Sequence, residues 1–218
     1  MSDTNIITEN RSVEPFTAVK LAGFGNLHIK QGDEVTLTIK APAALLRKIK
    51  TDVTGGTLKI GFRFALAAWF RSARDIREIE FLVTVPTLEG IVSSGAGHIK
   101  SDNTITGKML ELKSNGAGDM ELDLEMEEIV SKLAGAGSII LRGSAKRQEV
   151  TISGAGKFDS FDMETNAALI DSKGSGQCNI SVKESLNVTI KGVGKVKYRG
   201  QPKITSKMTG LGNLEADT

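Results

Sequence analysis

Three acidic side chains, Asp119, Glu121 and Asp123, follow a Gly-x-Gly triplet at alternate positions, and carboxylates are common calcium ligands. Calcium-binding β-roll repeats place their ligands at the same position of successive short turns. In this chain the position of Asp119 holds His, Ser, Lys, Gln or Asn in the other Gly-x-Gly units. The pattern favours a solvated acidic strand face, and we expect no metal and no other cofactor.

The other side chains that could do chemistry are few. His28 and His98 are the only histidines, and Cys178 is the only cysteine. Two histidines without a third ligand nearby in sequence make a poor metal site, and a thiolate nucleophile needs a stabilising neighbour that the sequence does not indicate. A single cysteine also excludes an internal disulfide. We therefore expect no catalytic residues and a chain that is not an enzyme.

Composition excludes several classes of protein. The 218 residues are 39% hydrophobic and 25% charged, which is an ordinary globular balance. The net charge of +2 is too small to indicate nucleic acid or a membrane surface as a partner. The apolar run at residues 64–70 is too short to span a bilayer, and residues 1–16 do not resemble an export signal.

A Gly-x-Gly triplet recurs along the whole sequence. The eight copies lie at residues 23–25, 95–97, 116–118, 135–137, 154–156, 174–176, 192–194 and 210–212. From the second copy onward the intervals are 21, 19, 19, 20, 18 and 18 residues. Self-similarity at about twenty residues is the signature of a solenoid.

The residues that flank each triplet alternate as in a half-buried strand. Four places after the first glycine every copy has an apolar residue: Leu27, Ile99, Met120, Ile139, Phe158, Cys178, Val196 and Leu214. The residue one place earlier is never apolar. The same parity before the triplet places Leu133, Ile152, Ile190 and Met208 inward.

Each unit is thus a strand, a glycine corner, a second strand and a polar bend such as residues 142–146. Such a unit cannot bury its inner face alone, so it must stack on its neighbours. Glycine permits positive φ and close backbone approach, which suits a corner in a stack, whereas a phosphate-binding loop would lead into a helix. The predicted fold is all-β, a parallel β-helix-like solenoid of about twenty residues per turn.

The sequence divides near residue 88. Residues 1–88 predict a β-rich N-terminal part that is continuous with the solenoid or caps it, and residues 89–218 carry the regular repeats. Residues 43–50 have the composition and spacing of one short helix. Residues 34–40 and 58–60 alternate as strands on either side of it.

The chain resembles a bacterial family, the putative auto-transporter adhesins with a head GIN domain. The resemblance rests on Phe16-Thr17, Gly32-Asp33-Glu34, Thr57-Leu-Lys-Ile60, Val83-Thr-Val-Pro86 and the serial Ser/x-Gly-Ala-Gly units, and covers residues 12–218. It implies a β-solenoid exported to the cell envelope, hence periplasmic, at the outer-membrane surface or secreted, with a role in adhesion.

Two segments are candidate interaction surfaces. Phe64, Leu66, Trp69 and Phe70 lie beside arginines, a composition typical of an interface, although they would equally cover the N-terminal end of the solenoid core. Lys195, Lys197 and Arg199 belong to a lysine-rich stretch, residues 173–207, that is either a solvated face or a basic end for an acidic glycan or partner. Our hypothesis is a weak homo-oligomer through the aromatic segment.

These observations predict a non-enzymatic cell-envelope protein, an adhesin or binding scaffold whose partner is a protein or glycan at the cell surface. The alternative is a carbohydrate-active enzyme, a polysaccharide lyase or hydrolase, because β-helices also support those activities. Such an enzyme would need carboxylates or basic residues that converge on one groove, and the sequence does not align such groups between adjacent turns.

Overall fold

Strands make up most of the chain in the computed structural model, which describes residues 5–62 and 78–217. The content is 67% strand and 2% helix. The strands are β1 (Ile6–Asn10), β2 (Ala18–Leu21), β3 (Asn26–Gln31), β4 (Thr36–Pro42), β5 (Ile49–Thr54), β6 (Thr57–Phe62), β7 (Glu80–Val85), β8 (Gly90–Ser93), β9 (His98–Ser101), β10 (Ile105–Ser114), β11 (Asp119–Leu133), β12 (Ser138–Ile152), β13 (Lys157–Ser172), β14 (Gln177–Ile190), β15 (Lys195–Arg199), β16 (Lys203–Met208) and β17 (Asn213–Ala216).

A short helix, α1 (Ala43–Leu46), follows β4 and confirms the predicted helix in the N-terminal part. It is shorter than the predicted stretch 43–50, because β5 already begins at Ile49. No helix in the described residues is long and apolar enough to cross a membrane.

Parallel pairing of each turn with the next confirms the β-solenoid, which has about seven turns. Strands β11 to β14 each run from one glycine corner to the next and pair along most of their length. The register aligns one inward residue per turn, as the alternation predicted. Met120, Ile139, Phe158, Cys178 and Val196 form this column, and each is 0% exposed.

The glycine corners stack into one column that begins at Gly23. The residue between two glycines donates its amide hydrogen to the first glycine of the turn below, as Ala96 N does to Gly23 O at 2.7 Å. A Cβ atom on Gly95 would lie only 1.8 Å from that same oxygen. The sequence predicted glycine at the corners for two reasons, positive φ and close backbone approach. Among the corner glycines, only Gly23 and Gly25 have positive φ. At the other corners, the backbone of the turn below comes too close for a side chain.

The N-terminal part joins the stack out of sequence order. The turn β2–β3 lies between the turn β6–β7 and the turn β8–β9, and it pairs in parallel with both. After β3 the chain therefore leaves the stack, adds the turn β6–β7 on one side of β2–β3, and continues with β8–β9 on the other side. On the side of β6–β7 away from β2–β3, β4 pairs antiparallel with β7 and β1, and β5 pairs antiparallel with β6. The division at residue 88 stays a prediction, although β2 and β8 pair directly across it.

The C-terminal end of the stack is open in the described residues. Among the strands that the structure describes, β16 pairs only with β14, and β17 only with β15. Met208 lies in the inward register, opposite Ile190, but is 51% exposed. The prediction that Met208 is buried was wrong, because no further turn covers it in the described part of the chain.

Candidate functional site: a groove beside Gln31

Gln31, the last residue of β3, holds together three segments that are distant in sequence. Its side-chain Nε2 donates to the carbonyl oxygens of Pro86 at 3.0 Å and Thr106 at 3.1 Å, and its Oε1 accepts from Thr106 N at 2.8 Å. Its backbone N–H donates to Asn103 Oδ1 at 2.9 Å, and Asn103 Nδ2 donates to its carbonyl at 3.0 Å. These bonds fix the β7–β8 connection against the start of β10.

A groove of about 530 Å³ lies between these segments. Its lining residues are Gln31, Thr87, Leu88, Glu89, Thr106, Gly107, Lys108 and Met109. Leu88 is buried in its floor, whereas the Met109 side chain is 50% exposed although it is large and apolar. Glu89 and Lys108 are also exposed, so the groove combines an apolar surface, hydroxyl groups and one charge of each sign. Ligand-binding sites commonly combine an apolar lining with a few polar groups in this way.

The groove continues along the bends of the following turns. A shallower groove of about 290 Å³ shares Gly107 with it and crosses β11, β12 and β13 at Met126, Ala145 and Glu164. Because stacked strands lie about 4.8 Å apart, the three intervals from Gly107 to Glu164 span about 14 Å. The two grooves together form an elongated depression that runs along the solenoid.

Ion pairs between consecutive turns line this depression. Lys146 Nζ lies 2.8 Å from Glu127 Oε1, and Lys183 Nζ lies 2.7 Å from Glu164 Oε2. The hydrogen bond from Lys146 lowers the pKa of Glu127, and that from Lys183 lowers the pKa of Glu164. Most charged side chains along the shallower groove thus form ion pairs within the protein. The region of Lys108 and Met109 is the part of the depression most suited to a partner.

The basic residues predicted as an interaction surface do lie together on β15, but two acidic residues pair with them, one on β17 and one directly after it. Lys195 Nζ is 2.6 Å and Lys197 Nζ is 3.1 Å from Glu215 Oε1. Arg199 Nε lies 2.7 Å from Asp217 Oδ2. Their role in binding stays a prediction, and the charge that they present is smaller than the basic count over residues 173–207 indicates.

Phe64, Leu66, Trp69 and Phe70, the other predicted surface, lie outside the described residues. Their role, and the homo-oligomer proposed through them, stay predictions.

The histidines lie on the outer face, each near a carboxylate of a neighbouring turn. His28 Nδ1 is 3.1 Å from Asp102 Oδ1, and His98 Nε2 is 4.0 Å from Glu121 Oε1. Cys178 is buried, and burial raises the pKa of its thiol, which disfavours the reactive thiolate.

The acidic row has partners other than a metal. Asp119 Oδ1 accepts a hydrogen bond from Ser138 Oγ at 2.6 Å, while Arg142 lies 3.9 Å from both Glu121 and Asp123. Residues 5–62 and 78–217 contain no group of three or more His, Cys, Asp or Glu side chains that could hold a metal ion.

Sequence reasoning missed the groove. Gln31 is 55 residues from Pro86 and 75 residues from Thr106, so no local motif contains the three segments. The one available signal was the long interval between the first two triplets, since a chain that leaves a stack and returns must form junctions with it. A glutamine at the end of a strand carried no such indication.

Comparisons with known proteins agree with this architecture. The sequence model of the family described as "Putative auto-transporter adhesin, head GIN domain" matches residues 15–202. A crystal structure of a putative adhesin from Bacteroides fragilis is similar, with 25% identity, a TM-score of 0.89 and coverage of 99% of this chain and 98% of that one. No curated protein matches the chain significantly.

Two structures from Parabacteroides distasonis share the fold over the same proportions, 99% of this chain and 98% of theirs. One is a putative adhesin, with 19% identity and a TM-score of 0.74. The other is a putative lipid binding protein, with 18% identity and a TM-score of 0.73.

Proposed function

The chain belongs to the family of putative auto-transporter adhesins with a head GIN domain, and on this premise we propose that it is a non-catalytic binding scaffold of the bacterial cell envelope. It attaches to a protein or glycan at a cell surface, and the groove beside Gln31 provides the contact. The family and the similarity to the Bacteroides fragilis adhesin support the adhesive role and the extracytoplasmic location.

The main support for this proposal is an exposed apolar side chain in a groove whose walls are held by hydrogen bonds. Met109 is 50% exposed in the groove, while Gln31 bonds to the backbone on both sides of it. A preformed site loses little conformational entropy when a partner binds, so a small contact area can still give useful affinity. Lys108 and Glu89 at the rim then favour partners that carry complementary polar groups.

A glycan array together with a polysaccharide degradation assay tests this function. We expect the purified chain to bind a subset of immobilised glycans and to release no product from anionic polysaccharides. The double variant K108E/M109S should lower binding at least tenfold. Val193→Ser is the matched control, because Val193 is 60% exposed in a corner away from the groove, and it should bind as the wild type does.

Two results would contradict the proposal. Release of unsaturated or reducing ends by the wild type would favour the alternative, a polysaccharide lyase or hydrolase. Equal binding by the wild type and K108E/M109S would place the contact elsewhere on the solenoid.

A further inference from the structure

The last turn of the solenoid leaves two strand edges without a partner among the described residues. All six residues of β16 are exposed, and β16 and β17 each pair on one side only within residues 5–62 and 78–217. Ile204 and Met208 are 39% and 51% exposed, although they stand in register with Leu186 and Ile190, which are 0% exposed. An open edge with exposed apolar residues is a template for pairing with another strand.

The two edges carry opposite charges. The outward residues of β16 include Lys203 and Lys207, neither of which forms an ion pair with another described residue. The outward residues after the last corner include Glu215 and Asp217. One end of the molecule therefore presents the lysines of β16 beside the carboxylates of Glu215 and Asp217, which also pair with Lys195, Lys197 and Arg199 of the turn below.

A second copy of the chain matches this end. When two copies meet end to end about a two-fold axis, their strand directions are reversed, so β16 of each can pair antiparallel with β17 of the other. Residues directly opposite each other in an antiparallel pair point to the same face. The register that places Lys207 opposite Glu215 also places Met208 opposite Leu214. Oppositely charged side chains then meet on the outer face, and apolar side chains meet on the inner face.

We propose that the chain forms a two-fold dimer through its C-terminal end, with β16 of each copy paired to β17 of its partner. The interface is isologous, since each copy contributes the same basic and acidic strands. Repulsion between the lysines of the two copies is offset because Glu215 and Asp217 lie on the same surface. This dimer differs from the predicted oligomer through the aromatic segment and does not depend on the adhesive function.

Sedimentation velocity between 1 and 100 μM, with charge reversal across the proposed contact, tests the dimer. We expect a wild-type monomer–dimer equilibrium in this range, and a dissociation constant at least tenfold higher for Lys207→Glu and for Glu215→Lys. The charge-swapped variant K207E/E215K should recover most of the association. Lys30→Glu, the same charge change on β3 at an exposed site, should behave as the wild type.

Glu215 also pairs with Lys195 and Lys197, so circular dichroism must first show that each variant is folded. A wild type that is monomeric at 100 μM would overturn the proposal, and so would unchanged association of folded Lys207→Glu. Association restored in K207E/E215K would support the proposed register, because Lys195 and Lys197 beside position 215 act against it. Loss of association in a Trp69→Ala, Phe70→Ser variant would instead assign the contact to the aromatic segment.

Discussion

The carbonyl oxygen of Gly116 lies 1.8 Å from the position that a Cβ atom would occupy on Gly135. The same oxygen accepts the amide hydrogen of Ala136 at 3.0 Å. Each turn thus presses its backbone against the backbone of the turn below, and a hydrogen atom on Cα is the only substituent that fits. This relationship recurs along the column and explains why the triplet keeps both of its glycines while the middle residue varies.

Gly135→Ala should destabilise the protein strongly. The added methyl group meets backbone that cannot move without displacing a neighbouring turn, so we expect a loss of roughly 2–4 kcal/mol in the free energy of unfolding. Urea unfolding followed by circular dichroism measures it. Ala136→Ser changes the exposed middle residue of the same corner and should stay within about 0.5 kcal/mol of the wild type. Equal stability of the two variants would contradict the stacked corner.

Gln148 and Thr165 form a buried polar pair inside the bend, where Gln148 Nε2 donates to Thr165 Oγ1. Both residues are 0% exposed, and Gln148 Oε1 accepts no hydrogen bond from a described residue. Thr165→Val alone should cost about 1–3 kcal/mol, because it leaves the carboxamide without its partner. The double variant Q148L/T165V should recover most of that loss. A double-mutant cycle with no coupling would show that the pair does not interact.

Cys178 should resist thiol reagents as long as the protein is folded. Its side chain is 0% exposed in the inward column, and burial raises the pKa of the thiol. Reaction with a chromogenic disulfide reagent at pH 8 should therefore be slow in buffer and rapid in unfolding concentrations of guanidinium. Rapid labelling of the folded protein would mean that the last turns open readily.

The architecture could be predicted from the sequence because two independent patterns agree. The triplet interval sets the length of a turn, and the alternation around residues such as Ile139 and Phe158 sets the inward face. The position of the first unit could not be predicted in the same way. Its partner strands β6 and β8 are distant in sequence, and only long-range pairing places Gly23 beneath Gly95.

The candidate site was less accessible to sequence reasoning. The groove depends on hydrogen bonds from Gln31 to the backbone of other segments, and backbone acceptors leave no trace in residue type. The basic end was predicted from lysines up to residue 207. Glu215 and Asp217, which pair with Lys195 and Arg199, fall just outside that count.

Glu111 should make stability depend on pH. Lys113 Nζ lies 2.7 Å and Lys132 Nζ lies 3.0 Å from its carboxylate, and the hydrogen bond from Lys113 is the main cause of its lowered pKa. The unfolded chain therefore binds a proton at higher pH than the folded chain does. The stabilisation is present above the ordinary pKa of 4.5 and is lost as the pH falls through the lowered pKa.

Glu111→Gln tests this dependence through urea unfolding at pH 7, 5 and 3. The wild type should exceed the variant at pH 7 by less than about 1 kcal/mol, because all three side chains are more than a third exposed. The difference should shrink towards pH 3. Glu149→Gln, on the same face and in no ion pair with a described residue, is the matched control for the substitution itself. A difference in unfolding free energy between wild type and Glu111→Gln that grows as the pH falls would contradict a lowered pKa of the Glu111 carboxyl.

Both proposals depend on one continuous stack of turns from Gly23 to the open C-terminal end, and amide hydrogen exchange at the corners tests that stack most directly. The Ala96 amide donates to Gly23 O at 2.7 Å, as the Ala136 amide donates to Gly116 O at 3.0 Å. Native-state exchange measured by NMR should therefore show strong protection at Ala96, comparable with that at Ala136. An Ala96 amide that exchanges at the rate of an unfolded chain, while Ala136 stays protected, would contradict the continuous stack.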